Sequence, residues 1–360
     1  MPMKKLHRRA ETGEDGLSAG GARPCTSAWV DEEKCREISE TLSRIQLHPD
    51  PFIRKPRDSE QKSREAEYWF YMIAVCHATR TLEGFVNGEW LRGNDYLLLA
   101  ARRRLDADPS YFDAERMARI SGRDLRAVIS DDGDPFHSKL DRIQERVELL
   151  NGCAEVLLRD FEGDVMKIYA RSGGYVKPVE GQGLLDLLAR FKAYSDPVRK
   201  KSFLLVAFLN EAGVWRVRDP ENLSLAIDYH LMRIALRSGA IRILDRSLGA
   251  KLKERKPVTE SEDEAVREAA RAAYQFTARQ PGLNVFSLDS LLWNIGRTCC
   301  FYEHDPICGD QSCWKQSQCT LLKRTDYMCP GRCPLDGVCL GSRDPDQRRY
   351  WETNIYTEYY

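Results

Sequence analysis

The sequence predicts a mostly α-helical protein with a cysteine-rich metal loop near its C-terminus. Apolar residues recur at three- and four-residue steps through several segments, and His137–Phe161 shows this helical period most fully. Alternation of apolar and polar residues, the pattern of a strand, is nearly absent. Eight of the twelve cysteines fall within residues 299–339, which concentrates the thiols in one segment.

The composition is typical of a soluble globular protein. Hydrophobic residues make up 42% of the chain and charged residues 31%, and the net charge is zero. No run of 18 apolar residues appears, and the first residues lack the apolar region of a secretory signal. We therefore expect a cytoplasmic monomer without a membrane span. In a reducing compartment, clustered cysteines favour metal binding over disulfides.

Turn signals and composition divide the chain into four segments. We expect a disordered tail at residues 1–30, a helical body at 31–295, a cysteine-rich loop at 296–342 and a C-terminal tail at 343–360. Within the body, further helices are predicted at Glu65–Thr79, Leu184–Lys192, Arg199–Asn210, Leu223–Ser238 and Ser261–Arg279.

A local excess of positive charge lies between Arg233 and Lys256. This stretch contains eight lysines or arginines but only two acidic residues, Asp245 and Glu254. Such an excess is typical of a surface that binds phosphate backbones. A solvated helix face with mixed charges explains the same pattern.

The segment IDYHLMRI, which starts at Ile227, combines an apolar stripe with one acidic residue. Ile227, Leu231 and Ile234 fall on one face of a helix, which predicts packing against a core. Asp228 would then lie at the helix N-terminus, where free backbone N–H groups and the helix dipole stabilise a carboxylate. On this pattern alone, Asp228 is an N-cap.

This octet resembles the V-D-T-H-V-x-R-V element of the helix-hairpin-helix base-excision DNA glycosylases. The resemblance implies a two-lobed helical fold and makes Asp228 the catalytic carboxylate, with His230 and Arg233 at the family's histidine and arginine. Upstream, Lys201 and Ser202 match the family's K-T pair, which would make Lys201 a Schiff-base lysine with lyase activity. The two glycines of the family's hairpin are absent from this stretch.

Enzymes of this type hold the excised base against aromatic side chains. Tyr229, next to the aspartate, and Trp293 are candidates for that role, although each could equally be a core residue. A carboxylate near C1′ of the sugar would stabilise the oxocarbenium ion or activate water. Asp289, at the start of a predicted helix, is a second carboxylate, which we interpret as a helix cap, with a chemical role as the alternative.

The cysteines extend the resemblance. Cys319, Cys329, Cys333 and Cys339 have spacings of x9, x3 and x5, and Cys333 begins a C-P-L sequence. In endonuclease III and the adenine mismatch glycosylases, C-x6-C-x2-C-x5-C binds a [4Fe–4S] cluster, which is the cofactor that the resemblance implies, with zinc as the alternative.

A second group of thiols precedes these four. Cys299, Cys300, Cys308 and Cys313 lie near His304. They could bind zinc, supply the true ligands of one cluster or remain partly free.

A third similarity points to another substrate. The region from Leu140 to Ile243 resembles the queuosine-salvage nucleotide glycosidases, through Glu145-Arg146 and Ala226–Tyr229. The segment Ser287–Trp293 and the closing Tyr359-Tyr360 are also similar to that family. This resemblance implies a free modified nucleotide as substrate.

The main prediction is an N-glycosylase that excises a damaged or modified base from DNA, with Asp228 as its catalytic group. One alternative is a queuosine-type nucleotide N-glycosidase that takes a modified nucleotide. Another is a metal-stabilised nucleic-acid-binding protein without catalysis.

Overall fold

The computed structural model describes residues 27–280, 283–301, 306, 308, 313 and 319–360. These residues form mainly α-helices joined by short loops, together with two small antiparallel sheets. The prediction of a mostly α-helical protein is confirmed. Most of the predicted N-terminal tail, and His304, lie outside the described residues.

The helices follow the chain in this order: α1 (Glu32–Leu42), α2 (Ser59–Ala74), α3 (Asn94–Ala107), α4 (Ala114–Met117), α5 (Gly122–Val128), α6 (Ile143–Phe161), α7 (Val165–Ser172), α8 (Leu184–Leu188), α9 (Lys200–Glu211), α10 (Tyr229–Ser238), α11 (Arg246–Lys253), α12 (Glu260–Ala278), α13 (Val285–Thr298), α14 (Thr320–Arg324), α15 (Leu340–Arg343) and α16 (Pro345–Arg348). Short 3-10 helices occupy Lys192–Tyr194 and Pro220–Asn222.

Each of the two small sheets is a pair of antiparallel strands. Strand β1 (Ala28–Val30) pairs with β4 (Ile241–Ile243), which attaches the first described residues to the end of α10. Strands β2 (Glu83–Val86) and β3 (Glu89–Arg92) form a hairpin whose turn contains Gly88 at a φ of 80°. That positive φ is strained for residues with a Cβ atom, which favours glycine at this turn.

Two apolar cores support the helices. The first core is centred on α2, where Trp69 and Phe70 are fully buried, and α3 to α9 pack around it. The second core contains α1 and α10 to α14. Val285, at the start of α13, packs against both cores. Burial of these apolar faces is the main stabilising contribution to the helices, most of which are too short to be stable alone.

Helix α10 lies in the second core in the way that its apolar stripe predicts. Leu231, Ile234 and Ala235 are buried there. The helix ends at Gly239, where φ is 83°. A Cβ at this position would lie 2.4 Å from Leu340 Cδ1, so both the backbone angle and the close approach of α15 require glycine.

Candidate active site

Asp228 begins α10 and is the centre of the candidate site. Its Oδ1 accepts hydrogen bonds from the backbone N–H groups of His230 at 2.8 Å and Leu231 at 3.0 Å. In the described part of the chain, its other oxygen, Oδ2, has no hydrogen-bond partner. Burial raises the pKa of Asp228, whereas the nearby Lys200 ammonium lowers it. Asp228 is therefore a helix cap that leaves one oxygen available for chemistry.

Lys200 is the cation that accompanies this carboxylate. It is the first residue of α9, is buried, and its charge interacts with that of Asp228. Its Nζ lies 3.4 Å from the sulfur of Cys76. Although burial alone lowers the pKa of Lys200, the neighbouring Cys76 and Asp228 more than offset this, so the pKa of Lys200 is raised. The amine is therefore held in its charged form.

The structure places Lys201, the predicted Schiff-base lysine, one helical step away from this pair. Its Nζ donates to the backbone oxygen of Ala74 at 2.5 Å and lies 3.4 Å from His77 Nδ1. The side chain is fully buried, and burial lowers the pKa of Lys201 to about 8. Lys200, which the sequence reasoning did not select, is the lysine whose charge acts on Asp228.

Asp289 on α13 is the second carboxylate of the site. Its Oδ2 accepts the backbone N–H of Ala226 at 2.6 Å, two residues before Asp228. Burial and, to a smaller extent, the negative charge of Asp228 together raise the pKa of Asp289 to about 7. Its hydrogen bond fixes the segment that leads into α10, so Asp289 supports the position of Asp228.

Three of the residues predicted to bind substrate make contacts within the protein. His230 is buried against Gly296 and Trp293, with its ring centroid 6.2 Å from that of Trp293 in an edge-to-face arrangement. Burial lowers the pKa of His230 and keeps it neutral. Arg233 is fully buried and donates to the backbone oxygens of Cys300 and Gly296. These contacts join α10 to α13.

Tyr229, the fourth predicted residue, lies at the wall of a cavity of about 530 Å³. The Arg80 guanidinium lies over its ring, 4.0 Å from the ring centroid. Two more arginines, Arg142 and Arg255, line the same cavity. A volume of this size can accommodate a mononucleotide-sized ligand.

The C-terminal segment of the chain forms a large part of the cavity wall. Trp351, Glu352 and Tyr360 are among its lining residues. Arg255 lies over the Trp351 ring at 3.2 Å, and Glu352 accepts from Arg80 at 2.9 Å. Residues 343–360, predicted as a tail, therefore contain α16 and a segment that shapes the site.

Buried polar contacts hold this segment in place. The Glu352 carboxylate also accepts from Arg233 at 2.7 Å, and the two positive neighbours Arg233 and Arg80 lower the pKa of Glu352. The Tyr360 hydroxyl donates to Asp263 at 2.5 Å. Glu352 and Tyr360 lie more than 120 residues after Asp228, so the local sequence pattern around Asp228 does not predict their place at the site.

The cysteine-rich segment differs from its prediction. Cys319, Cys329 and Cys333 lie around one small cavity, but Cys339 does not line it and donates instead to the backbone oxygen of Arg237 at 3.4 Å. Among the described residues, no group of three or more His, Cys, Asp or Glu side chains could hold a metal ion. The prediction of a metal-binding protein is therefore wrong for the described residues, while the assignment of Cys319, Cys329, Cys333 and Cys339 as ligands of an iron–sulfur cluster stays a prediction.

The fold and the site define a mostly helical protein in which a buried carboxylate, Asp228, directly precedes Tyr229, a residue of the wall of an aromatic- and arginine-lined cavity. Comparison with known families then gives a specific assignment. Residues 79–314, about two thirds of the chain, match the queuosine salvage protein family, and the chain belongs to that family. A search of curated proteins gave no match.

This assignment corrects the main interpretation of the sequence. The identification with the helix-hairpin-helix DNA glycosylases and the role in DNA repair were wrong, because the family that matches is that of queuosine salvage. The similarity over Leu140–Ile243, which was carried as an alternative, falls within the matched region. No described helix has the length and apolar character needed to cross a membrane.

Proposed function

We propose that the protein is a nucleotide N-glycosidase that hydrolyses the bond between the base and the sugar of a queuosine-type nucleotide. The observation that carries this proposal is the Asp228 carboxylate, which has donors on one oxygen only, interacts with the charge of Lys200 and directly precedes the cavity-wall residue Tyr229. Membership of the queuosine salvage family supports the choice of substrate class.

In the proposed reaction, the bond from C1′ to the base nitrogen breaks and the base leaves with the bonding electrons. Positive charge then develops on the sugar, and the Asp228 carboxylate stabilises it or accepts a proton from the attacking water. The water oxygen bonds to C1′, and the departing base takes up a proton. Lys200 contributes by keeping Asp228 ionised against the effect of burial.

The cavity offers contacts suited to a nucleotide. Its aromatic walls at Tyr229 and Trp351 can stack on a planar base. Arg80, Arg142 and Arg255 supply positive charge for a phosphate group, and guanidinium groups bind such oxygens with two parallel hydrogen bonds.

Base release assays test the proposal directly. The purified protein is incubated in parallel with queuosine 5′-monophosphate, the unphosphorylated nucleoside and a duplex that carries a modified base, and the free base is measured by chromatography. We expect release from the mononucleotide and none from the duplex. A folded protein that leaves the mononucleotide intact, or that acts on the duplex alone, would contradict the proposal.

A further inference from the structure

Glu352, in the C-terminal segment, joins two arginines that come from different parts of the chain. Its Oε1 accepts from Arg80 Nη2 at 2.9 Å, and its Oε2 accepts from Arg233 Nη1 at 2.7 Å. Arg80 lies between α2 and β2, whereas Arg233 lies on α10. Glu352 is buried, and both it and Arg80 belong to the cavity wall. One carboxylate therefore links an arginine of the cavity with the helix that follows Asp228.

Both arginines also contact Tyr229, the cavity-wall residue that directly follows Asp228. The Arg80 guanidinium lies over the Tyr229 ring, 4.0 Å from its centroid, and Arg233 Nη1 donates to the Tyr229 backbone oxygen at 3.3 Å. Glu352, Arg80, Tyr229 and Arg233 thus form a closed set of contacts. A guanidinium that stacks on a ring while it donates to a carboxylate is oriented by both partners. The arrangement of Arg80 on Tyr229 therefore depends on Glu352.

We propose that Glu352 is a positioning residue, which holds Arg80 over Tyr229 and thereby sets how tightly the cavity binds its nucleotide. This role rests on the proposed function, because it concerns the ligand of the same cavity. Arg80 and Tyr229 would contact the ligand directly, whereas Glu352 acts through Arg80. The Asp228 carboxylate is held separately, by the N–H groups of His230 and Leu231. Glu352 should therefore affect binding and leave the bond-breaking step nearly unchanged.

The change Glu352→Gln removes one of the two acceptors. A glutamine amide has one acceptor oxygen and an NH2 group that only donates, so it cannot accept from both arginines. Arg233 is fully buried and also donates to the backbone oxygens of Gly296 and Cys300. The Arg80 side chain is 37% exposed. The remaining acceptor should stay with Arg233, because leaving a buried guanidinium unpaired costs more than releasing one that water can reach.

Steady-state base release from queuosine 5′-monophosphate by the full-length protein tests this role. We expect Glu352→Gln to raise KM by roughly 10-fold, the effect of losing one cation–π contact, with kcat within about 2-fold of the wild type. Calorimetric titration of the mononucleotide into Asp228→Asn, in which turnover is slow, should show the same loss of affinity when Glu352→Gln is added. Arg80→Met should raise KM equally. The double variant should not exceed either single one, because both changes remove the same contact.

Glu358→Gln is the matched control, since it removes a carboxylate of the same segment that pairs with Lys192 at 3.9 Å and does not line the cavity. It should leave KM and kcat unchanged. Circular dichroism verifies that each variant is folded, and Glu352→Asp, which is one methylene group shorter and should also raise KM, replaces a glutamine variant that does not fold.

The positioning role of Glu352 is overturned if KM stays at the wild-type value, if kcat falls as much as KM rises, or if the effects of Glu352→Gln and Arg80→Met multiply. A wild-type protein that releases no base contradicts the proposed function instead. The calorimetric affinities then still decide whether Glu352 controls binding.

Discussion

Two buried aspartates precede the two helices of the candidate site, Asp196 four residues before α9 and Asp228 directly before α10, and they differ in how many hydrogen-bond donors their oxygens have. Asp196 is completely buried before α9. Its Oδ1 accepts from Val198 N at 3.2 Å and Arg267 Nη1 at 2.8 Å, and its Oδ2 accepts from Lys200 N at 2.8 Å and Arg267 Nη2 at 2.5 Å. Each oxygen therefore has two donors, and the carboxylate is fully paired.

Asp228 has hydrogen-bond donors on only one of its two carboxylate oxygens. One oxygen caps α10, while the other has no partner in the part of the chain that the structure describes, and the nearby cation Lys200 acts through space. A paired buried carboxylate stabilises the fold, because all of its lost hydration is replaced. A carboxylate with one open oxygen costs stability but can interact with charge that develops in a reaction. We therefore assign a structural role to Asp196 and the chemical role to Asp228.

The largest expected effect is on the rate of Asp228→Asn. Asparagine can cap α10 as well as aspartate does, so the free energy of unfolding should change by less than about 1 kcal/mol. The negative charge needed by the oxocarbenium-like transition state is lost, and kcat should fall by about 10³-fold. Steady-state base release and urea denaturation measure the two quantities. A folded Asn variant that keeps its full kcat would remove Asp228 from the mechanism.

Asp196→Asn should have the opposite effect, with a large loss of stability and a smaller effect on the activity of the folded protein. The variant leaves the buried Arg267 without its bidentate partner. Breaking a buried ion pair costs about 3–5 kcal/mol of stability. The midpoint of urea denaturation should therefore fall sharply, while the fraction of molecules that remains folded keeps measurable activity. If Asp196→Asn is as stable as the wild type but inactive, the two aspartates do not divide their roles as proposed.

Variants of Lys200 and Lys201 provide a further test of the chemical role of Asp228. Lys200→Met removes the cation beside Asp228, so the pKa of the carboxyl should rise and kcat should decrease by roughly 10–100-fold at neutral pH. The acidic limb of the pH–rate profile should move to higher pH. Lys201→Met is the matched control, since it removes a neighbouring buried amine that bonds to Ala74. A shift of the acidic limb in Lys201→Met rather than in Lys200→Met would reverse the assignment.

The choice between these lysines illustrates what the sequence could predict. The apolar stripe of Ile227, Leu231 and Ile234 predicted both the packing of α10 and the capping position of Asp228, because these depend on neighbouring residues. Which of two consecutive lysines points to Asp228 depends on the phase of α9. One residue turns a helix by about 100°, and the Asp196 carboxylate that fixes this phase is itself held by a residue 71 positions later, Arg267.

The cavity wall and the arrangement of the thiols could not be predicted from local sequence patterns, because both depend on contacts between residues that are distant in the sequence. Glu352 and Trp351 reach the site only through the packing of the C-terminal segment, and the spacing of cysteines does not say which sulfurs converge. Cys299 and Cys333 line one cavity although 33 residues separate them in the sequence, whereas Cys339 does not line it. The motifs shared with the DNA glycosylases were short. A match in a few residues therefore carried less information about the family than the similarity to queuosine-salvage proteins over Leu140–Ile243.

The smallest predicted effect concerns pH and Asp289. Burial raises the pKa of Asp289 in the folded protein from its ordinary value of 3.8 to about 7, so the folded state binds a proton that the unfolded chain has released. This carboxyl therefore contributes stability that is complete below pH 4 and is lost as the pH rises towards 7. Asp289→Asn mimics the protonated form and can still accept the Ala226 N–H. Its free energy of unfolding relative to the wild type should increase by roughly 1–2 kcal/mol between pH 5 and pH 8, measured by urea denaturation at each pH. A constant difference across this range would mean that Asp289 is ionised throughout, and the negative charges of Asp228 and Asp289 would then both have to be balanced by Lys200.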